Sequence, residues 1–280
     1  MKKLLAFVII ALLTFSLAAC GGGEKSDSSN KGSEDGNKKL VVGATAVPHA
    51  EVLEAAKPLL AEKGIDLEIK VFTDYVLPNI ALKDKDLDAN YYQTPGYLAL
   101  QMEENKDFDF VSVGEIHKEP IGIYSKKYKS LKDLPDGAKI IMSDSFSDHG
   151  RILPIFEKEG VIKLKDGVGA NARVEDIVEN PKNLDFSTLI EAKLLASSFE
   201  SDEGDAVAIN TNYALEGGIN IKDTGIAFEG SDVVPANLIV VRSEDKDRPE
   251  IKTLVEVLKS KEIQDFIQEK YQGAVVSVTE

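Results

Sequence analysis

The sequence predicts an α/β protein in which strands alternate with crossover helices. Ile65, Leu67, Ile69 and Val71 alternate with Asp66, Glu68 and Lys70, the period of two that marks a strand with one polar face. Thr45 to Lys63 reads as a helix ending at Gly64. Two apolar stripes at helical spacing close the chain, Ile251-Leu254-Val255-Leu258 and Ile263-Phe266-Ile267-Tyr271. Roughly 240 residues follow an all-polar segment, a length that suits one large domain or two lobes.

The elements run in order from the amino end. Leu40 to Gly43 is a short strand of the buried type, and Pro58 inside the helix after it predicts a kink or a break. Past the alternating strand, Tyr75 to Leu82 is a short helix, Leu87 to Tyr92 extended, and Tyr97 to Glu104 a helix. Phe110 to Ile116 and Ile121 to Tyr124 are strands. The alternation resumes with a strand from Lys139 to Met142 and a helix from near Ser147 to just before Gly160. Asp205 to Ile209 is a strand, Asn212 to Glu216 begins a helix, Ala236 to Val241 is a strand, and Pro249 suits the first turn of the first closing helix.

The amino terminus has a separate logic. Lys2 and Lys3 precede ten apolar residues, Leu4 to Leu13, and Leu17-Ala18-Ala19-Cys20 follows. Ten residues are too few for a membrane span, which needs about 20, and match the core of a secretory signal. The tetrapeptide resembles the bacterial lipobox, so residues 1–19 are expected to be cleaved as a signal peptide and Cys20 to be acylated, which anchors the chain to the outer face of the cell membrane. Residues 20–37 form a lipidated flexible tether: Gly21 to Asn37 holds no large apolar residue and has a reach of about 20–25 Å. Cys20 is the only cysteine, so no disulfide within the chain supports the fold. Without residues 1–19 the chain carries 31 basic and 48 acidic side chains, a net charge of −17 that argues against nucleic acid as a partner.

No Gly-x-Ser-x-Gly elbow, His-Glu-x-x-His zinc motif, phosphate loop or dinucleotide fingerprint is present. His49, His117 and His149 are scattered, none at i, i+4 spacing to another, and neither a metal nor a cofactor is expected. The informative residues are polar or aromatic side chains at strand ends and helix starts, where open α/β sheets present ligand contacts. Phe72 and Tyr75 flank one such junction and are either core rings or ligand contacts. Of the neighbours Tyr91 and Tyr92, strand alternation lets only one face a cleft. Arg151 falls in the first turn of a helix, against its dipole; it serves either as a carboxylate ligand or as a surface partner of Asp148 or Asp144. Asn210 and Asn212 cap a helix, bind ligand, or do both.

Taken together, Phe72-Thr73-Asp74-Tyr75-Val76-Leu77-Pro78-Asn79, Asp88-Ala89-Asn90-Tyr91-Tyr92-Gln93, His117-Lys118-Glu119-Pro120, Gly150-Arg151, Ile209-Asn210-Thr211-Asn212-Tyr213-Ala214, Ala236-Asn237 and Asp247-Arg248-Pro249-Glu250 resemble the NlpA-type methionine-binding lipoproteins in the same order. The resemblance implies a two-lobed periplasmic-binding-protein fold, mixed sheets flanked by helices with two interlobe crossovers. One lobe would comprise residues 38–121 and 234–280, the other 122–233. It also implies a monomeric receptor, not an enzyme, that delivers an amino acid to an ABC permease and its ATPase. Carried over, Phe72, Tyr75, Tyr92 and Tyr97 line the side-chain pocket, Arg151 holds the carboxylate, and Asn210, Asn212 and Asn237 bind the amino-acid backbone. Glu119 would partner the ammonium.

The chain departs from the family pattern at three places, one of them Leu194 to Phe199, which lacks the usual Gln-Leu-Pro. Asp144-Ser145-Phe146-Ser147-Asp148-His149 replaces an amide-rich segment that usually reads Asn-Asp-Pro-Thr-Asn, and Thr94, followed by Pro95-Gly96, replaces a histidine. An acid at Asp148, beside Arg151, weakens attraction for a bare carboxylate and strengthens it for an ammonium. Methionine, a methionine derivative, a methionine-containing dipeptide and another small amino acid all remain candidate ligands; a tethered hydrolase and an interaction protein without a small ligand are the competing classes.

Overall fold

A computed structural model describes residues 37–278. The expected signal peptide, acylated Cys20 and most of the tether lie outside the described residues. The chain begins with β1 (Lys38–Thr45), α1 (Glu51–Glu62), β2 (Ile65–Phe72), α2 (Leu77–Lys83), β3 (Ala89–Gln93), α3 (Pro95–Glu104) and β4 (Phe110–Lys118). It continues through β5 (Gly122–Tyr124), β6 (Lys139–Ser143), α4 (Phe146–Lys158), β7 (Lys163–Leu164), β8 (Ile177–Glu179) and β9 (Asp185–Ile190). Next come α5 (Leu195–Glu200), β10 (Ala206–Ile209), α6 (Thr211–Glu216), α7 (Ile221–Thr224) and β11 (Gly225–Phe228). The end is β12 (Ala236–Arg242), α8 (Pro249–Leu258), α9 (Lys261–Tyr271) and β13 (Val276–Ser277).

Among the described residues, one sheet has the order β13-β4-β12-β3-β1-β2 and a second the order β11-β5-β10-β6-β9, with a small β7-β8 ladder apart. Both large sheets are mixed. β1 pairs parallel with β2 and β3, as crossover helices require, while β12 runs antiparallel to β3 and β4. In the second sheet β6 is parallel to β9 and β10, and β5 is antiparallel to β10 and β11. The chain passes from one sheet to the other after β4 and returns before β12, which gives the two-lobed architecture.

Each sheet is covered on both faces. Leu40, Val42 and Ala44 of β1 pack under α1, α8 and α9, whose stripes supply Leu53, Ile251, Leu254 and Ile267. The opposite face holds Leu82, Leu87, Phe110 and Val240. The second sheet lies between α4, through Ile152 and Phe156, and α5 with α6, through Leu195 and Tyr213. The lobes also touch: Leu215 of α6 packs on the first core and Tyr75 on the core around α5 and α6.

Two expectations need correction. The helix expected from Thr45 begins later, because β1 extends through Thr45 and Val47 stays extended (φ −125°, ψ 131°), the conformation that a following proline favours. Pro58 does not break α1, which is continuous from Glu51 to Glu62. Pro58 and Glu54 are both exposed, so water can serve the backbone carbonyl that proline leaves without a donor.

Gly150 fixes how α4 meets its neighbour. A Cβ there would lie 1.8 Å from the carbonyl oxygen of Ala170, so only glycine lets the 169–171 turn sit against the helix that carries Asp148 and Arg151. Gly150→Ala should lower unfolding free energy by about 1–3 kcal/mol, because a backbone must move. Urea denaturation measures this; an unchanged midpoint would show that the turn yields freely.

Candidate functional site

A cavity lies between the two sheets, with about 400 Å³ of empty space counted out to its mouth. β3 and the junctions around it supply one wall. Tyr92 points into the cavity, whereas Tyr91, its neighbour on the strand, is buried in the core and bonds His117. Tyr97, in the first turn of α3, and Tyr75, in the loop held by Asp74 before α2, complete an aromatic group. Ring centroids of Tyr75, Tyr92 and Tyr97 are 5.8–6.1 Å apart.

The other wall comes from α4 and from the β10–α6 junction. Asp148 and Arg151 project from the first turns of α4, and Asn210 and Asn212 from the start of α6. Glu119 and Asn237 enter from the crossover and from β12. Tyr75 donates its hydroxyl to Asn212 Oδ1 at 2.6 Å, a hydrogen bond between the lobes. Asn210 donates to Asp148 Oδ1 at 3.3 Å and makes no side-chain cap on α6, so the capping alternative fails. Of the nine buried side-chain atoms without a hydrogen-bond partner among the described residues, four belong to residues that line this cavity: Asp148 Oδ2, Asn210 Oδ1, Asn212 Nδ2 and Tyr92 Oη. Buried polar groups are normally paired, so this concentration in one cavity marks a place where a polar molecule is received.

Arg151 is neither a surface residue nor paired with Asp148 or Asp144. Its Nη2 lies 2.6 Å from Glu229 Oε2, its Nε 3.1 Å from Glu229 Oε1, and Nη2 also donates to the carbonyl of Glu119 at 2.8 Å. Glu229 in turn accepts from the backbone of Ile121 at 3.1 Å. Glu229 was missed from sequence because its partner is 78 residues away. Its only local signal was a glutamate just after a strand. Phe72 is not among the lining residues: as the last residue of edge strand β2 it packs against the cluster of Leu82 and Leu87.

Behind the cavity, folding joins two of the scattered histidines. His117 Nε2 lies 2.6 Å from Glu119 Oε1, and His49 Nε2 lies 3.2 Å from the same oxygen and 3.0 Å from Asn237 Oδ1. These ligand atoms fall within 4.8 Å of one another, and His49, His117 and Glu119 could hold a metal ion by donor type. They are instead engaged with each other and with Thr45 and Tyr91. The Thr45-His49-Glu119 order imitates a nucleophile, base and acid, yet Thr45 is fully buried and outside the cavity. His149 goes elsewhere, to the carbonyl of Ser143.

Burial sets the protonation states. It lowers His49 to about 4 and His117 to about 3, and it raises Glu119 and Asp148 above the usual carboxylate range. Both imidazoles are therefore neutral near pH 7.

Fold and site together define a two-lobed solute-binding protein with its ligand cavity between the lobes. Comparison places it more narrowly: the family described as NlpA lipoprotein matches residues 40–279, and the chain belongs to that family. The methionine-binding lipoprotein MetQ of Bacillus subtilis is 48% identical over 100% of both chains. The D-methionine-binding lipoprotein MetQ of Salmonella typhimurium is 37% identical over 98% of each. A nutrient-binding protein from Burkholderia cenocepacia, solved bound to methionine, is 40% identical, with a TM-score of 0.81 over 86% of this chain and 100% of that one. These relatives are named as binding proteins, not as enzymes.

The depressed histidines make stability depend on pH with a definite sign. In the unfolded chain they titrate near 6.5, in the folded protein near 4 and 3, so acid favours the unfolded chain. Their contribution is intact above pH 6.5 and is lost as pH falls through the folded values; the raised Glu119 acts in the opposite direction. Between pH 7 and pH 5, His117→Gln should lose about 2 kcal/mol less stability than the native protein in urea titrations. Equal losses would show that His117 titrates normally in the fold.

Proposed function

We propose that this protein is a lipid-anchored receptor on the extracytoplasmic face of the cell membrane. It captures methionine or a close derivative between its lobes and delivers it, as a monomer, to the permease and ATPase of an ABC importer. The observation that carries this reading is the interlobe cavity, aromatic at one side and lined with unpartnered buried polar atoms at the other. An apolar, thioether-bearing side chain suits three tyrosine rings, since sulfur gains about 0.3–1.5 kcal/mol against an aromatic edge. An amino-acid head suits Asp148, Asn210, Asn212 and Asn237, and the names of the relatives support methionine as that amino acid.

In this reading residues 38–121 with 234–280 form one lobe and 122–233 the other, and the two crossovers act as hinges on which ligand shifts an open-closed equilibrium. Residues 1–19 are removed, Cys20 carries the acyl groups, and the tether to residue 37 leaves the receptor free to reach its permease. Among the described residues no helix is long and apolar enough to cross a membrane, consistent with an anchor made by lipid.

Isothermal titration of ligand-stripped protein with L-methionine, D-methionine and glycyl-methionine tests the assignment. At least one should release heat, and at a hundredfold excess over its Kd it should add about 2.7 kcal/mol of stability, seen as a higher Tm. Absence of heat and of thermal shift with all three would end the methionine reading.

A further inference from the structure

Asp148 and Arg151 stand three residues apart on α4, a spacing at which opposite charges on a helix normally meet. Both line the inner cavity, yet among the described residues they form no ion pair with each other. Burial raises Asp148 above the usual carboxylate range, and the foremost influence against that rise is the guanidinium of Arg151. The two groups are near enough to attract each other, so something else keeps them apart.

Glu229 does this from outside the cavity lining, at a position just after β11. β11 and β5 run antiparallel with Phe228 opposite Gly122, and the ladder continues one step further. The amide of Glu229 donates to the carbonyl of Ile121 at 3.0 Å, and the amide of Ile121 donates to Glu229 Oε2 at 3.1 Å. The carboxylate is thus fixed by backbone. It accepts from Arg151 Nε at 3.1 Å through Oε1 and from Nη2 at 2.6 Å through Oε2, while the carbonyl of Glu119 also accepts from Nη2. A guanidinium held along its Nε–Nη2 edge in this way cannot turn back along α4 to Asp148. Among the described residues Nη1 is its one nitrogen without a hydrogen bond.

The cavity is left with open groups of both kinds. Asp148 Oδ2 and Asn210 Oδ1 are buried acceptors without partners among the described residues; Asn212 Nδ2 is a buried donor without one, and Arg151 Nη1 is a second donor. A free amino acid brings an ammonium for the first pair and a carboxylate for the second. Arg151 is also the only lysine or arginine that lines the cavity among the described residues. If it turned to Asp148, one contact would close a member of each pair. In a low-dielectric cavity an acid and an arginine attract each other strongly, so an unheld Arg151 would take that position.

We propose that Glu229 is a positioning residue for ligand capture: by holding Arg151 it keeps the arginine off Asp148, so the empty cavity retains an acceptor for an ammonium and a donor for a carboxylate. Glu229 itself touches no ligand and acts through Arg151. This inference rests on the methionine reading above and adds the residue that keeps the site open.

Glu229→Gln preserves the volume but not the grip, since its NH2 group must face Nε of Arg151 or the amide of Ile121, donor against donor. In isothermal titration of ligand-stripped protein, methionine should bind Glu229→Gln at least about tenfold more weakly than the native chain, the size of one charge-assisted contact. Made in an Asp148→Asn background, where no acid is present to capture Arg151, the same change should weaken binding by a factor at least about threefold smaller, a coupling that a merely structural role does not produce. A crystal structure of ligand-free Glu229→Gln should show Arg151 within about 4 Å of the Asp148 carboxylate. Thermal unfolding checks that each variant folds; if Glu229→Gln does not, Glu229→Asp, which keeps the charge but draws it back by a methylene, takes its place with the same expectations. Unchanged or tighter methionine binding, equal losses in the two backgrounds, or Arg151 still directed at residue 229 would each overturn the proposal while leaving methionine as cargo. If the native chain binds neither methionine nor glycyl-methionine, the methionine reading falls, and the position of Arg151 in the Glu229→Gln crystal still decides the role of Glu229.

Discussion

The buried ion pair of Arg151 and Glu229 is the constraint on which the rest of the site depends. Arg151 rises from α4, Glu229 follows β11, and between them they also hold the carbonyl of Glu119 and the amide of Ile121. One helix is thereby tied to both strands of chain that join the lobes. Burying two charges is costly and the net gain of such a pair is small, but removing one partner typically costs 3–5 kcal/mol because the other is left buried and alone. The pair is therefore better understood as a fixture of geometry than as a source of stability. It also spends the charge of Arg151, and that decides which electrostatic field a ligand meets.

The cavity itself is made by contacts that cross between lobes. Tyr75 belongs to the first lobe by its loop and to the second by its packing and its bond to Asn212. Tyr213 reaches back to the carbonyl of Thr73, and Thr211 to that of Pro120. Each contact exists only when the lobes are together, so the hydrogen bonds that shape the cavity also favour closure. Behind the cavity, Glu119 is held by a hydrogen bond from neutral His117, with neutral His49 3.2 Å from the same oxygen.

Much of this was legible along the chain because it depends on neighbours. The alternation of Ile65 to Val71 produced β2, the stripes from Ile251 and Ile263 produced α8 and α9, and the polar residues at strand ends face one cavity because open α/β sheets place those ends together. Alternation also foretold that Tyr91 and Tyr92 would part, though not which would face the cavity. The errors came from distant partners. Phe72 has the same local setting as Tyr75, but a cluster built from Leu82 and Leu87 takes its ring. Glu229 and the meeting of His49 with His117 join residues far apart in sequence, and no spacing rule relates them.

By itself the sequence determined the order of strands and helices, the family through ordered motifs, and the chemical types available to the site, since periodicity and residue chemistry are local properties. Only the tertiary structure decided which groups remain available to a ligand. Arg151 is an arginine in either case; whether it attracts a carboxylate depends on Glu229, and whether Asp148 attracts an ammonium depends on what else reaches its second oxygen. Charge in a buried site is a sum over everything that folding brings near, and that sum is not written in any one segment of the chain.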